Sequence, residues 1–594
     1  MKERTVNAPE WQMDDAYGDV ESPRWNESVE KLRALTSELQ DMAVERANFV
    51  RALSLYEGAV TIASSLASFT RCQGAKNAED ERVPQAVDRV TGLTADLNDA
   101  AAPLFAELAK LDAADPLWTE APLKHWKFVI MERTGDWRLK LSDADHAFWA
   151  DLERNVFMPL GGVHKDLLRQ IDFKAKKADG SDETIRAAKL ITVLKGAPDP
   201  VLRHSTADAM DVYFKKNAGI YASLLNQLHG LRLTAMTRAG VEPLDVSLRQ
   251  NRMSREALDA IREAIRRHIE TIRRAVSLRS PFLGEGPMGF EDLMAPCPQK
   301  GGTIAPAIPY EEGIGLVKSS LSRVNPEMAD FVQMMIDNRW IDAKPSDKKI
   351  GGAFYSRFNE FKIPRVFSTY MGNITSVFQQ GHELGHAYHY WMMRDMPMIE
   401  TEFPMTLTET ASTFNEAVMR EALFEKAEGD ERFAMLWQEM KSAANFLLHT
   451  MARMEFELDF LAERQSGVVS AARTVELMEA AWKRMYGDAA SPDRWLWAYK
   501  LHFYKVDQLI YNYPYTVGYL MSLALMREWK VRGDDFYPFY KAMLRDTGRM
   551  TVDEIIERHF GADAKDPAFW ENAMGSVFKS IDEFDRMAAE RLKA

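Results

Sequence analysis

Residues 375–394 read TSVFQQGHELGHAYHYWMMR, and Asp395 closes the stretch. It is helix-length and rich in apolar residues, with Asn373 placed just ahead of it as a capping side chain. Inside it lies HELGH, which puts His382 and His386 at positions i and i+4. On a helix two such residues stand about one turn apart on the same face, ~5–6 Å from each other, so both imidazoles reach one Zn²⁺ at about 2.0–2.1 Å. Glu383 is rotated roughly 100° around the axis from the first histidine, beside the open position of such an ion rather than on it. A carboxylate there takes a proton from a hydrolytic water and returns it to a leaving amine. Gly381 and Gly385 each cost a helix interior roughly 1 kcal/mol relative to Ala, which predicts a close neighbour against that backbone.

Two histidines alone leave a metal short of ligands. The segment TLTETASTFNEAVMREALF, residues 406–424, is helix-like, and its Glu409 follows His386 by 23 positions. The connector carries Pro397 and Pro404 and can turn the chain back, so that a helix, a return loop and a second helix bring Glu409 to the histidine pair. The competing reading of Glu409 is a capping box with Thr406. Ser412 and Glu416 fall on the same helical face as Glu409. Glu416 reads either as a carboxylate that orients a ligand imidazole or as a paired surface acid. His389, one turn past His386, reads either as a neighbour of the site or as a structural histidine.

Outward from this centre the chain is overwhelmingly α. ESVEKLRALTSELQDMAVERANFVRALSLY, from Glu27 to Tyr56, repeats apolar residues at three- and four-residue steps and predicts one long amphipathic helix. SREALDAIREAIRRHIETIRRAV, residues 254–276, lines up Ile261, Ile265, Ile269, Ile272 and Val276 and leaves its arginines on a solvated face. The exception is KKIGGAFYSRFNEFKIPRVFSTYMGN, residues 348–373, whose aromatic and β-branched content between Gly-Gly and Gly-Asn predicts a small β-element just before the histidine helix. Polar, Gly- and Pro-bearing sequence from Lys174 to Pro200 is read as a joint, giving an N-terminal helical lobe over 1–195 and a catalytic lobe over 196–594. The Gly- and Pro-rich run from Ser280 to Gly313 forbids a continuous helix and reads as a wrapping loop of the second lobe.

A chain of 594 residues exceeds what one compact core absorbs, so two or more lobes are expected. A net charge of -13 argues against a general nucleic-acid binder, which needs a clustered basic surface. The start has no continuous apolar run of a signal peptide, and no uncharged apolar stretch is long enough to span a bilayer. Cys72 and Cys297, the only cysteines, form no metal-ligand pair and are read as buried small hydrophobes in a reducing cytoplasm.

The sequence resembles the oligoendopeptidase F branch of the thimet oligopeptidase family of zinc metallopeptidases. The resemblance is carried by HELGHAYH at 382–389, ETASTFNE at 409–416, LHFY at 501–504 and YNYPYTVGYL at 511–520. Weaker echoes are WQMDDAYGDVESPRW at 11–25, GGAFYSRF at 351–358 and YMGN at 370–373. Position by position, it makes His382, His386 and Glu409 the ligands of one Zn²⁺ per chain and Glu383 the general base. It implies a mainly α fold: a two-lobed helical ellipsoid with a deep central cleft and a small β-sheet next to the HExxH helix. The strand ending near Asn373 would then be the edge along which an extended peptide lies. A histidine and tyrosines of the C-terminal segment, here His502, Tyr511, Tyr515 and Tyr519, would reach the scissile carbonyl. The tyrosines recur at four-residue steps, so a helical segment lines them on one face as oxyanion donors.

The expectation is a zinc-dependent endopeptidase that cuts short unstructured peptides in the cytoplasm, as a monomer or homodimer, with neither nucleic acid nor membrane as partner. The rivals are a helical HExxH metallocarboxypeptidase, which needs a free chain end, and a peptide-binding scaffold without turnover. An intact Glu383 argues against the second, since a pure binder has no use for the base.

Overall fold

The computed structural model describes residues 7–284, 286–298 and 307–593. Helices dominate, and the few strands fall into a two-stranded and a three-stranded sheet. Among the described residues no helix is long and apolar enough to cross a membrane.

The β-element expected before the histidine helix is present. Strand β4 (Phe354–Phe358) pairs antiparallel with β5 (Ile363–Phe367), from Phe354 opposite Phe367 to Phe358 opposite Ile363. Lys362, at φ +58°, makes the reversal between them. A third, two-residue strand, β3 (Ile341–Asp342), lies parallel to the end of β5, so the order is β3-β5-β4. The strand leading towards Asn373 is therefore the central one, and the outer strand of the hairpin is β4. Position follows burial: β5 is buried from Pro364 through Phe367, whereas β4 is buried only at Ser356 and Phe358.

The division of the chain also departs from expectation. It forms two compact units, one of Met1–Gly135, Ile304–Glu425 and Ser522–Gly561, the other of Asp136–Thr303, Lys426–Met521 and Ala562–Ala594. Neither has a boundary at residue 195. In the first unit Trp11, Tyr17, Trp25 and Phe69 share one buried cluster with Phe358, Phe367 and Ile399, so the N-terminal helices complete the core behind the sheet. Apolar burial is blind to sequence separation, and this core gathers two of the unit's three chain segments. In the second unit, the segment read as a joint contains an antiparallel hairpin of β1 (Asp172–Lys176) and β2 (Asp182–Arg186), whose Phe173, Ala175 and Ile185 are buried.

Two helices are shorter than their periodicity implied. The stretch from Glu27 to Tyr56 is a helix over Pro23–Gln40, a turn, and a second helix over Phe49–Lys76. Asp41 ends the first helix, and the reciprocal Glu45 and Asn48 bonds of a capping box start the chain again. The isoleucine stripe lies on helices Arg255–Arg267 and Ile269–Ser277, separated at His268, with Ile261, Ile265, Ile272 and Val276 buried and Ile269 partly so. Of the run from Ser280 to Gly313, the described parts hold two short 3₁₀ turns and the start of the helix Tyr310–Leu321; Glu285 and 299–306 lie outside the described residues. Cys72 is fully buried, but Cys297 is only partly so.

The histidine helix spans Ile374–Met393, and the Asn373 side chain accepts from the Ser376 N–H at 2.9 Å. Its glycines are explained by the helix Thr410–Phe424, which crosses directly over them. A Cβ on Gly385 would sit 2.6 Å from Ser412 Cα and 2.7 Å from the Ala411 carbonyl oxygen. One on Gly381 would meet Met419 Sδ at 2.2 Å. Backbone cannot retreat as a methionine side chain can, so the two positions differ in tolerance. Gly385→Ala is expected to destabilise the chain by about 1–3 kcal/mol or more through overpacking, and Gly381→Ala by less. Thermal unfolding of the two variants checks this order; equal midpoints would contradict it.

Candidate metal centre

The crossing of these two helices sets one carboxylate against two imidazoles. His382 Nε2 and His386 Nε2 lie 3.2 Å apart, and Glu409 Oε2 lies 3.3 Å from the first and 3.5 Å from the second. Four-coordinate zinc with ligands at about 2.0–2.1 Å has ligand-to-ligand edges of about 3.3–3.4 Å, so these three atoms have the spacing of one tetrahedral face. Glu409 makes no capping bond. It stands between a four-residue helical turn, Met405–Thr408, and the helix Thr410–Phe424, with its side chain turned to the histidines. Ser412 Oγ donates to the same Oε2 at 2.9 Å, which holds the carboxylate in place.

The surrounding groups fix each imidazole. Glu416 Oε1 is 2.6 Å from His382 Nδ1 and accepts its proton, which turns Nε2 towards His386 and Glu409. The ring of Tyr355, on β4, stacks on His386 with centroids 5.4 Å apart. Burial opposes a charge on His382, yet Glu409 and Glu416 raise its pKa well above the ordinary value. Burial pushes His386 down to about 4, against the pull of Glu409. Burial likewise opposes ionisation of Glu409, but the two histidines and Ser412 bring its carboxyl down to about 2. Two carboxylates thus hold positive charge where an ion would supply it.

Glu383 is buried outside this triangle. Desolvation pushes its carboxyl up to about 7, with Glu409 adding to the rise and His382, Arg71 and the Tyr355 N–H opposing it. A carboxyl titrating near neutrality is suited to receive and release a proton in one cycle.

His389 is structural. It is fully buried, its Nε2 lies 2.8 Å from Thr547 Oγ1, and its ring stacks on Phe403 at 4.1 Å. Burial drives its pKa down to about 3.

Of the C-terminal candidates, His502, Tyr511 and Tyr515 gather within the second unit. The His502 ring stacks on Tyr515 at 5.8 Å and meets the edge of Tyr511 at 4.9 Å, and the two tyrosine hydroxyls are 3.1 Å apart. Helix Tyr513–Arg532 begins after Tyr511, so the tyrosines do not form one helical stripe. Tyr519 is buried, its ring stacked on Phe446 at 4.8 Å, in core packing rather than in the His502 group. Sequence reasoning did not find Tyr355, since an aromatic residue in a strand carries no mark of the histidine it stacks on. A second set of potential ligands, His204, Glu291 and Asp292, already has its charge matched: Arg203 takes Asp292 Oδ1 at 2.8 Å and His204 takes Oδ2 at 2.7 Å.

The family model of peptidase family M3 matches residues 323–576, which include all the residues of the metal cluster. Oligopeptidase PepF of Bacillus subtilis is 21% identical over 97% of this chain and 87% of its own length. An oligoendopeptidase F homolog of Lactococcus lactis is 23% identical over 56% of this chain and 59% of its own. The same fold occurs in the solved structure of a candidate peptidase from Chlamydophila abortus, with a TM-score of 0.82 at 18% identity over 97% of this chain and 98% of that one. The matched region contains the histidine helix, and similarity to oligopeptidase PepF runs the length of the chain, so the protein resembles peptidase family M3 in its oligoendopeptidase F branch.

Proposed function

We propose that the protein is a zinc-dependent endopeptidase that hydrolyses internal bonds of short unstructured peptides in the cytoplasm. The observation that carries this reading is the cluster of His382 Nε2, His386 Nε2 and Glu409 Oε2, mutually 3.2–3.5 Å apart beside the buried Glu383. Bound there, zinc would supply Lewis acidity at the scissile carbonyl and acidify the attacking water.

The chain's own groups do the rest. Glu383 takes the proton of the attacking water and delivers it to the leaving amine, a transfer for which its raised pKa prepares it. Glu416 holds the His382 ring in the tautomer that ligates. Glu409, kept ionised by its neighbours, contributes negative charge to the ligand set. The outer strand β4, next to His386 through Tyr355, offers main-chain groups to an extended peptide. The family resemblance adds His502, Tyr511 and Tyr515 as donors to the developing oxyanion.

Glu383→Gln is expected to keep one zinc per chain and lose 10²–10⁴-fold or more in kcat, by roughly the contribution of general-base catalysis. Metal analysis and assay on the same preparation check this; near-normal cleavage by that variant would remove Glu383 from the mechanism. Glu416→Ala should weaken zinc affinity by roughly 10–100-fold while leaving the fold intact, read by competition with a chromogenic chelator. A library of peptides blocked at both ends, analysed by mass spectrometry with and without chelator, separates the alternatives. Internal cuts that vanish on chelation support the endopeptidase, cleavage confined to free ends indicates a carboxypeptidase, and zinc binding without cleavage indicates a scaffold.

A further inference from the structure

The segment joining His502 to its tyrosines is held by a buried acid that has no part in the metal cluster. Helix Thr450–Ser466 carries Arg453 and Glu457 one turn apart, both almost wholly buried. Glu457 Oε1 accepts the Ile510 N–H at 2.8 Å. Ile510 is itself fully buried and sits at φ +51°, a left-handed conformation that a β-branched residue rarely adopts. Such a backbone persists only where its surroundings impose it.

Two residues further on, the fully buried Asn512 places Oδ1 2.9 Å from His502 Nδ1, and Arg453 Nη1 lies 3.2 Å from the same nitrogen. Both contacts fall on Nδ1, which donates to the Asn512 oxygen in one tautomer and accepts from Arg453 in the other. Burial pushes the Glu457 carboxyl up to about 7, with the Ile510 N–H, Arg232, Asn512 and Arg453 opposing the rise. Maintaining a carboxyl in this position is costly, and the group it holds is the turn that ends at Tyr511.

We infer that Glu457 is a positioning residue, whose carboxyl clamps the left-handed turn at Ile510 so that Asn512 and Arg453 fix the His502 ring against Tyr511 and Tyr515. The inference rests on the proposed participation of His502 and its tyrosines in peptide hydrolysis. The clamp acts on orientation alone: an amide oxygen at the same place serves equally, whereas an apolar side chain of similar size does not.

The test uses the full-length, zinc-loaded chain and a fluorogenic blocked peptide that the wild type cleaves. Glu457→Leu is expected to lower kcat at least tenfold, with KM within twofold and zinc content unchanged, and to speed amide hydrogen exchange in residues 503–512. Glu457→Gln, which keeps the acceptor, should stay within threefold of wild type in kcat and show wild-type exchange. Asn512→Ala should lower kcat with KM and zinc unchanged, which keeps the idea testable should Glu457→Leu fold poorly. His502→Ala is measured beside them. If it is inactive while Glu457→Leu and Asn512→Ala retain full kcat, the clamp is overturned. If His502→Ala is fully active, the reading of His502 falls instead, and hydrogen exchange alone judges the clamp: unchanged exchange in Glu457→Leu overturns it.

Discussion

Two imidazole nitrogens and a carboxylate oxygen held within 3.5 Å of one another, largely out of water, are the constraint around which the first unit is built. Each group would prefer solvent, and desolvating them together is costly unless a cation, as a metal ion or a proton, satisfies them. The shifts around the cluster express that demand: Glu409 is held ionised, His386 is held neutral, and His382 retains a proton between two carboxylates. Side chains left to choose their own rotamers would part, so the surrounding backbone must prevent it.

That backbone is a helix crossing of unusually close approach. Gly385 lets the Ala411–Ser412 backbone come to within van der Waals contact of the histidine helix, and this carries Glu409, just ahead of the second helix, under the two rings. Asn415 Nδ2 donates to the Gly381 carbonyl at 3.2 Å and ties the same pair one turn along. On the other side, β4 brings the Tyr355 ring onto His386, and its backbone N–H pulls against the raised pKa of Glu383. Glycine in the helix interior, unfavourable as local structure, is the condition for the site.

The second unit solves a related problem by different means. Its histidine, His502, is oriented by a turn that Ile510 would not adopt alone, and buried charged side chains from another helix hold that turn. In both units the aligning contacts come from segments remote in sequence: Glu416 lies 34 residues from His382, and Glu457 lies 53 residues from Ile510. This matches an architecture in which three separate stretches of chain make each unit.

The sequence by itself determined the local chemistry. The i, i+4 spacing of His382 and His386, the carboxylate beside them, the cap at Asn373 and the helical character of most of the chain follow from short-range periodicity, which a backbone of fixed geometry must obey. It also marked Gly381 and Gly385 as places of close approach, but could not name Ser412 and Met419 as what approaches. Only the tertiary structure set Glu409 against the histidine pair, made His389 a core residue, took Tyr519 out of the tyrosine group and divided the chain elsewhere than at 195. The physical reason is the same in each case. Capping and helix-forming preferences act over a few residues of chain, whereas ligand geometry, burial and ring packing depend on which distant segments share a core, and apolar burial sets that without regard to order along the chain.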